Sequence, residues 1–281
     1  MAFSLNSLLP AALRSDVPTV PVVRLAGTIG GGSPLRPGLT LESVTAPLDR
    51  AFNIKSAPAV ALIINSPGGA AVQSHLIHRR IRDLAEQKEK RVIAVVEDVA
   101  ASGGYMIATA ADEIIVDASS IVGSIGVVAA GFGFTGLMDR IGVERRIYTA
   151  GKSKAMLDPF RPEREEDVAR LKTLQEDVHA SFIALVKERR GGRLADDPDL
   201  FSGAFWSGSK GIELGLVDRI GDLRTVTREY FGDKVRLRVM PAEKSMLRRR
   251  LGLSSDRFAA RLVDHALATV EEHVAWSRFG L

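Results

Sequence analysis

The run from Ala59 to Asn65, A-V-A-L-I-I-N, is apolar at nearly every position. A strand with one solvated face alternates apolar and polar residues. A run that does not alternate is covered on both faces, which is the mark of a parallel strand inside a layered α/β fold. Arg91–Val99, R-V-I-A-V-V-E-D-V, is a second such run, rich in β-branched residues. Each ends in a turn of small residues, Asn65-Ser66-Pro67-Gly68-Gly69 and Ala101-Ser102-Gly103-Gly104, and each turn opens a helix-competent stretch.

The rest of the chain continues the alternation. Thr19–Leu25 and Glu113–Val116 read as strands, and Leu41–Phe52 as a helix. After Gly69, Val72, Leu76, Ile77, Ile81 and Leu84 fall on one helical face. Leu137–Ile141 closes a short helix, and Glu144–Tyr148 reads as a strand leading to Gly151-Lys152-Ser153-Lys154. A long helix is expected from Pro162 to about Arg190, with Val168, Leu171, Leu174, Val178, Phe182 and Leu185 on one face. Gly191-Gly192 stops it. Leu214–Ile220 turns into a short strand. Alternating strands and helices imply right-handed crossovers and a mostly parallel sheet flanked by helices. Ligands in such folds gather beyond the carboxyl ends of the strands. The turns at Ser66–Gly69, at Ser102 and at Gly151–Lys154 are therefore expected at one sheet edge.

The 281 residues divide into an N-terminal arm (1–17), a body (18–240) and a basic, amphipathic helical tail (241–281). The net charge is only +4 and aromatics make up 6%, without basic–aromatic interleaving, so nucleic-acid binding has little support. With no cysteine there is no disulfide framework, thiolate nucleophile or cysteine metal site, which fits a reducing compartment. No transmembrane helix is expected, since no run of about 18 apolar residues occurs. The N-terminus lacks the basic region of a secretory signal, and a cytoplasmic location is expected. Two segments could touch an anionic membrane peripherally, the arm Phe3–Leu13 and the tail run Leu247–Leu253, L-R-R-R-L-G-L. Packing against the body or a neighbouring subunit is the favoured reading of both. The Gly27–Gly38 stretch contains G-G-G-S without a following Lys-Ser or Lys-Thr, and reads as a flexible loop rather than a phosphate cradle.

Ser102 stands where a strand turns abruptly into a helix. Such a serine has an exposed hydroxyl beside the free N–H groups of a helical first turn, as a nucleophile requires; an N-cap serine looks the same in sequence. The possible bases narrow the choice. His75, His78, His179, His265 and His273 all fall inside predicted helices rather than at strand ends, so a Ser-His-Asp triad is not expected. His75 and His78 read as a solvated helix face rather than a metal pair. A lysine base is the alternative. An exposed lysine titrates near about 10.4, and burial beside apolar groups lowers that by several units. Lys154, followed by Ala155, Met156 and Leu157, has suitable surroundings, and Lys152 competes for the role.

Four separated stretches resemble the S49 serine peptidases, the signal peptide peptidase A (protease IV) and SohB group. They are Asn65–Gly69, Ala101–Tyr105, Val122–Val127 (V-G-S-I-G-V), and Gly151–Lys154 leading to Pro159-Phe160. Gly211–Asp218, G-I-E-L-G-L-V-D, is also similar to that family, and the resemblance spans roughly Pro18 to Leu223. It implies a ClpP/crotonase-like fold with repeated ββα units, and a Ser–Lys endopeptidase acting on signal-peptide-like or other unstructured peptides. Carried over by motif, Ser102 is the nucleophile, Lys154 the general base and Ser124 the residue that orients the lysine. Gly68 and Gly69 supply oxyanion donors. The resemblance implies no metal and no organic cofactor, and it implies a homo-oligomeric ring. Many members also carry an N-terminal membrane anchor, which is not expected here. A crotonase-type acyl-CoA enzyme and a non-catalytic assembly subunit are the competing readings. Phe132 and Phe134, which come after the Ser124 segment, fit either an apolar cleft or the core.

Overall fold

The computed structural model describes residues 17–31, 38–241, 270 and 273–281. The N-terminal arm to residue 16, part of the Gly27–Gly38 loop, the basic run around Arg248–Arg250 and His265 lie outside the described residues.

The spine of the sheet is β3 (Arg91–Ala101). Along one side it pairs with β2 (Ala59–Ser66), which in turn pairs with β1 (Thr19–Ala26). Its other side is shared by two strands. The first half, Ile93–Val95, takes β4 (Glu113–Val116), and the second half, Val99–Ala101, takes β5 (Ile121–Gly123). At the edges, β6 (Phe205–Ser207) joins β5, β7 (Arg219–Ile220) joins β4, and β8 (Arg236–Val239) joins β1. Every pairing is parallel except β5 with β6.

Both faces of this sheet are covered, which is why its central strands are apolar throughout. One face carries α1 (Leu41–Phe52), α2 (Ala71–Lys88), α3 (Gly103–Ala108) and the end of a long helix, α5 (Glu165–Arg190). On it Val92, Ala94 and Val96 of β3 meet Ile77, Ile107 and Phe182 in one cluster. The residues between them, Ile93 and Val95, face the other side and pack on Val226, Leu223 and Phe231 of α7 (Leu223–Phe231). A short helix, α4 (Thr135–Ile141), precedes α5, and α6 (Gly208–Glu213) links β6 to β7. No described helix is long and apolar enough to cross a membrane.

Three expectations need correction. Glu144–Tyr148 is not a strand: its charged residues find no neighbouring strand, and Tyr148 is 91% exposed. The face of α2 that turns inward is Ser74, Ile77, His78, Ile81, Leu84 and Ala85, leaving Val72 exposed and His78 buried rather than solvated. The expected apolar face of α5 is buried only toward its C-terminal end, where Phe182 and Leu185 are covered while Leu174 is exposed. The elements β6, α6, α7 and β8 have no counterpart in the sequence pattern; they are short, and β8 reads R-L-R-V at an exposed edge.

A buried ion pair ties these parts together behind the sheet. Arg190, the last residue of α5, donates to both carboxylate oxygens of Asp218 (2.9 and 3.0 Å) and to the Gly215 carbonyl (2.8 Å). Asp218 also accepts from Ile114 N–H of β4 (2.7 Å). Burial alone would raise its carboxyl pKa; the Arg190 fork and the Ile114 N–H outweigh burial and hold it below the ordinary range. The G-L-V-D segment is thus a clamp between a helix and a strand.

His78 has no such partner. Burial, then the nearby charges of Arg189, His75 and Arg82, lower it from 6.5 to about 3, and its Nε2 has no hydrogen-bond partner among the described residues. The folded chain therefore binds fewer protons than the unfolded one between these values, so stability is lost as pH falls from 6.5 toward 3. The loss between pH 7 and pH 4 amounts to about 3 kcal/mol. Urea unfolding of the wild type and of His78→Leu at both pH values should show this much less acid sensitivity in the variant. Equal pH dependence of the two would refute the assignment.

Candidate active site

The site begins with a bulge. Between Ile64↔Val96 and Ser66↔Ala100 the register of β2 against β3 shifts, so β3 gains residues around Glu97 and Asp98. Asn65 bridges the gap: its Nδ2 donates to Asp98 (2.7 Å) and its Oδ1 accepts from Val99 N–H (3.2 Å). A bulge bends its strand and re-aims the residues beyond it. Here β3 is carried on to Ala101 and Ser102 beside the Ser66–Gly69 turn.

Ser102 has φ 51° and ψ −120°, a conformation that residues other than glycine rarely hold. Its N–H donates to Gly123 O (2.8 Å), prolonging the β3–β5 ladder by one step, and its carbonyl accepts from Met106 N–H (2.9 Å) as α3 begins. It occupies the N-cap position, yet its hydroxyl makes no cap hydrogen bond. That separates the two meanings that are equivalent in sequence: the hydroxyl is not spent on the helix. Behind it, Gly103 and Gly104 let α3 press onto its neighbours. A Cβ at Gly103 would lie 2.2 Å from Ser74 Oγ, and one at Gly104 2.5 Å from the Ser66 carbonyl. Tyr105, fully buried, donates from its hydroxyl to Leu216 O (2.7 Å) and anchors the helix.

Ser124 mirrors Ser102 on the next strand. Ala101 and Gly123 are register partners, so the two serines are the first residues beyond paired strand ends. Ser124 also has a positive φ, 52°, and is fixed by its N–H on Ala204 O (2.6 Å). Gly68 and Gly69 close the third side. A Cβ on Gly68 would stand 2.8 Å from Ser102 Cβ and 2.9 Å from Ala101 O, so only glycine allows this approach. The two glycines differ in their amides. Gly68 N–H donates to Ser66 Oγ (3.2 Å), whereas Gly69 N–H and Gly103 N–H have no acceptor among the described residues. Gly103 as a second free donor escapes the sequence reading, although the residue after a turn nucleophile is where such a donor is expected.

Ser102, Gly68, Gly69 and Ser124 line one cleft of about 650 Å³, with Met106 and Phe182 among its apolar walls. None of its described lining residues is a histidine or a carboxylate. His179 instead places Nε2 2.9 Å from Ile125 O, and no group of metal-ligating side chains occurs among the described residues. Lys154 is not among the cleft-lining residues. It is exposed, in a run of turns where its N–H donates to Gly151 O (3.2 Å). The surrounding segment, 127–163, has its own small cluster, with Phe134 stacked on Phe160 and Arg145 over the Phe160 ring. Phe132 is 81% exposed, and neither it nor Phe134 lines the cleft or joins the core.

Residues 84–238 match the model of Peptidase family S49. A Brucella abortus protein named Na(+)/H(+) antiporter NhaA is 55% identical over 99% of this chain, and the match covers 39% of that protein. The chain therefore spans about two fifths of the length of this relative. A Synechocystis protein carrying a protease name is 30% identical over 81% of this chain and 82% of its own length. The Arabidopsis thaliana protein named Serine protease SPPA, chloroplastic, is 31% identical over 73% of this chain and 32% of its own.

The strain at Ser102 is measurable. Ser102→Gly relieves the positive-φ cost and should stabilise the chain by about 1 kcal/mol after the extra entropy of glycine is counted. Ser102→Ala keeps the Cβ and should leave stability near that of the wild type. Denaturant midpoints of the three proteins test this; equal stability of the Gly and Ala variants would show that the turn is not strained.

Proposed function

The chain belongs to peptidase family S49, and from that premise we propose that it is a serine endopeptidase with Ser102 as nucleophile and Lys154 as general base. The observation that carries the reading is the Ser102 hydroxyl, held in a strained turn and free of any capping bond, in a cleft beside the unengaged Gly69 N–H.

In this mechanism Ser102 Oγ attacks the carbonyl carbon of a peptide bond while the neutral Lys154 amine takes its proton. The Gly69 and Gly103 N–H groups hold the oxygen of the tetrahedral intermediate, each worth about 2.7–4 kcal/mol in a preorganised site. Lys154 then protonates the leaving amine, and water hydrolyses the acyl-enzyme by the reverse proton path. Ser124 orients the lysine from the neighbouring strand end. Substrates are signal-peptide-like or other unstructured peptides, since a folded chain cannot lay a peptide bond between Ser102 and the Gly68-Gly69 turn. The absence of carboxylates among the described cleft-lining residues disfavours the acyl-CoA reading.

The base reaches the cleft through assembly. Lys154 sits on a segment that leaves Leu137 55%, Ile141 61% and Val143 52% exposed, an apolar surface suited to a second copy of the chain. In the proposed homo-oligomeric ring this surface is covered and one copy's Lys154 enters the next copy's cleft. Burial against Met106, Val178 and Phe182 there lowers the pKa of an ammonium, as the mechanism requires.

Ser102→Ala and Lys154→Ala should each lower kcat/KM on an unstructured peptide by about 10³-fold or more, without loss of folding. Mixing the two inactive variants should restore part of the activity, because some mixed interfaces then pair an intact serine with an intact lysine. No restoration would place the lysine in the same chain as its serine. Full activity in either single variant would eliminate the dyad, and an inactive wild type would leave the non-catalytic assembly subunit.

A further inference from the structure

One wall of the cleft has no part in this chemistry. Ala275 and Arg278 line it together with Ser102, although they belong to the C-terminal segment. That segment forms a helix over 273–277 and then a turn. Phe279 fixes it in place: the ring is 8% exposed, in a cluster with Val99 and Ala101 of β3, and Ile121 and Trp276 pack around it. It also meets Phe205 of β6 edge-on, with centroids 5.1 Å apart. The anchor therefore grips the strand ends that present Ser102 and Ser124. Arg278 immediately precedes the anchor, its guanidinium 6.0 Å from the Phe279 ring centroid. Ala275, three residues earlier, faces the same cleft, as the helical repeat requires.

Among the described residues lining the cleft, Arg278 is the one with an ionisable side chain; the others are glycine, alanine, proline, hydroxyl-bearing and apolar residues. A guanidinium presents a fork of donors that fits a carboxylate. Arg278 is itself exposed, so the attraction it exerts is modest and weakens with salt. No carboxylate among the described lining residues faces it across the cleft. An acidic side chain on a bound peptide would thus meet an attraction, and a basic one a repulsion.

We propose that Arg278 is a specificity-determining residue that selects peptides carrying an aspartate or glutamate on its side of the cleft. The substrate class narrows to unstructured peptides with an acidic residue at one fixed distance from the bond that Ser102 attacks. This inference rests on the peptidase reading for its biological sense, but the binding preference stands on the geometry alone.

The test uses the full chain carrying Ser102→Ala, which binds without turnover, and a fluorescent unstructured peptide in which one glutamate is moved position by position. Glutamine and lysine versions serve as controls. At one position the glutamate peptide should bind about fivefold more tightly than the glutamine peptide, and the advantage should shrink at high salt. Arg278→Gln in the same background should abolish the advantage, and Arg278→Glu should transfer it to the lysine peptide. Phe279→Ala should also abolish it by releasing the anchor; if that variant is unstable, the exposed Arg278 substitutions decide alone. A glutamate-to-glutamine ratio unchanged by Arg278→Gln overturns the proposal. Cleavage by the wild-type chain is scored separately. Cleavage without acidic preference overturns the role of Arg278 but not the peptidase. Acid-selective binding without cleavage overturns the peptidase and upholds Arg278.

Discussion

The hydrogen bond from Ser102 N–H to the Gly123 carbonyl, at 2.8 Å, is the constraint on which the site depends. It prolongs the pairing of β3 with β5 by one residue beyond the point where both strands turn away. Because the ladder is held that far, the next residue on each strand must reverse within a single step, and both reversals use positive φ: 51° at Ser102 and 52° at Ser124. A serine in that region costs of order 1–3 kcal/mol, which persists only where the surroundings leave no alternative. The surroundings here are the buried Tyr105 hydroxyl on Leu216 O, the Ala204 carbonyl on Ser124 N–H, and glycines at 68, 103 and 104 that have no room for a side chain. The core on both faces of β3 offsets the strain of its final turn.

How much of each element is legible in the sequence depends on how that element is held. Strands β2 and β3 are legible because burial on both faces forbids alternation, and α1 is legible over its full span. Glu144–Tyr148 misleads because Ile147 and Tyr148 favour a strand, yet no neighbouring strand pairs with the segment. His78 misleads because helical periodicity places a residue on a face without saying whether that face is covered; α2 turns the Ile77–His78 side inward. Strands β6 and β8, three and four residues long, are too short to carry a period. They exist because neighbouring strands offer them unpaired backbone.

The candidate site is legible in its motifs but not in its amides. Motif spacing groups Gly68, Gly69, Ser102, Ser124 and Lys154 as a set; the first four line one cleft, and Lys154 does not. No pattern of residue types can tell that Ser66 Oγ occupies the Gly68 N–H and leaves that of Gly69 unengaged, since the difference lies in one turn's geometry. Nor can periodicity bring Arg278 to the cleft. Its position is decided by where Phe279 finds a pocket, which is a property of the finished sheet.

The parts of the site differ in how they are held. Ser102, Ser124 and the glycine turn stand at the ends of β3, β5 and β2. Lys154 is carried by a segment in which α4 has no buried residue. In the proposed mechanism the nucleophile and oxyanion donors are thus preorganised in each chain, whereas the base reaches its position only when a second copy covers that segment. The exposed apolar residues of 127–163 are by themselves a liability to solubility; in the proposed ring the next copy covers them.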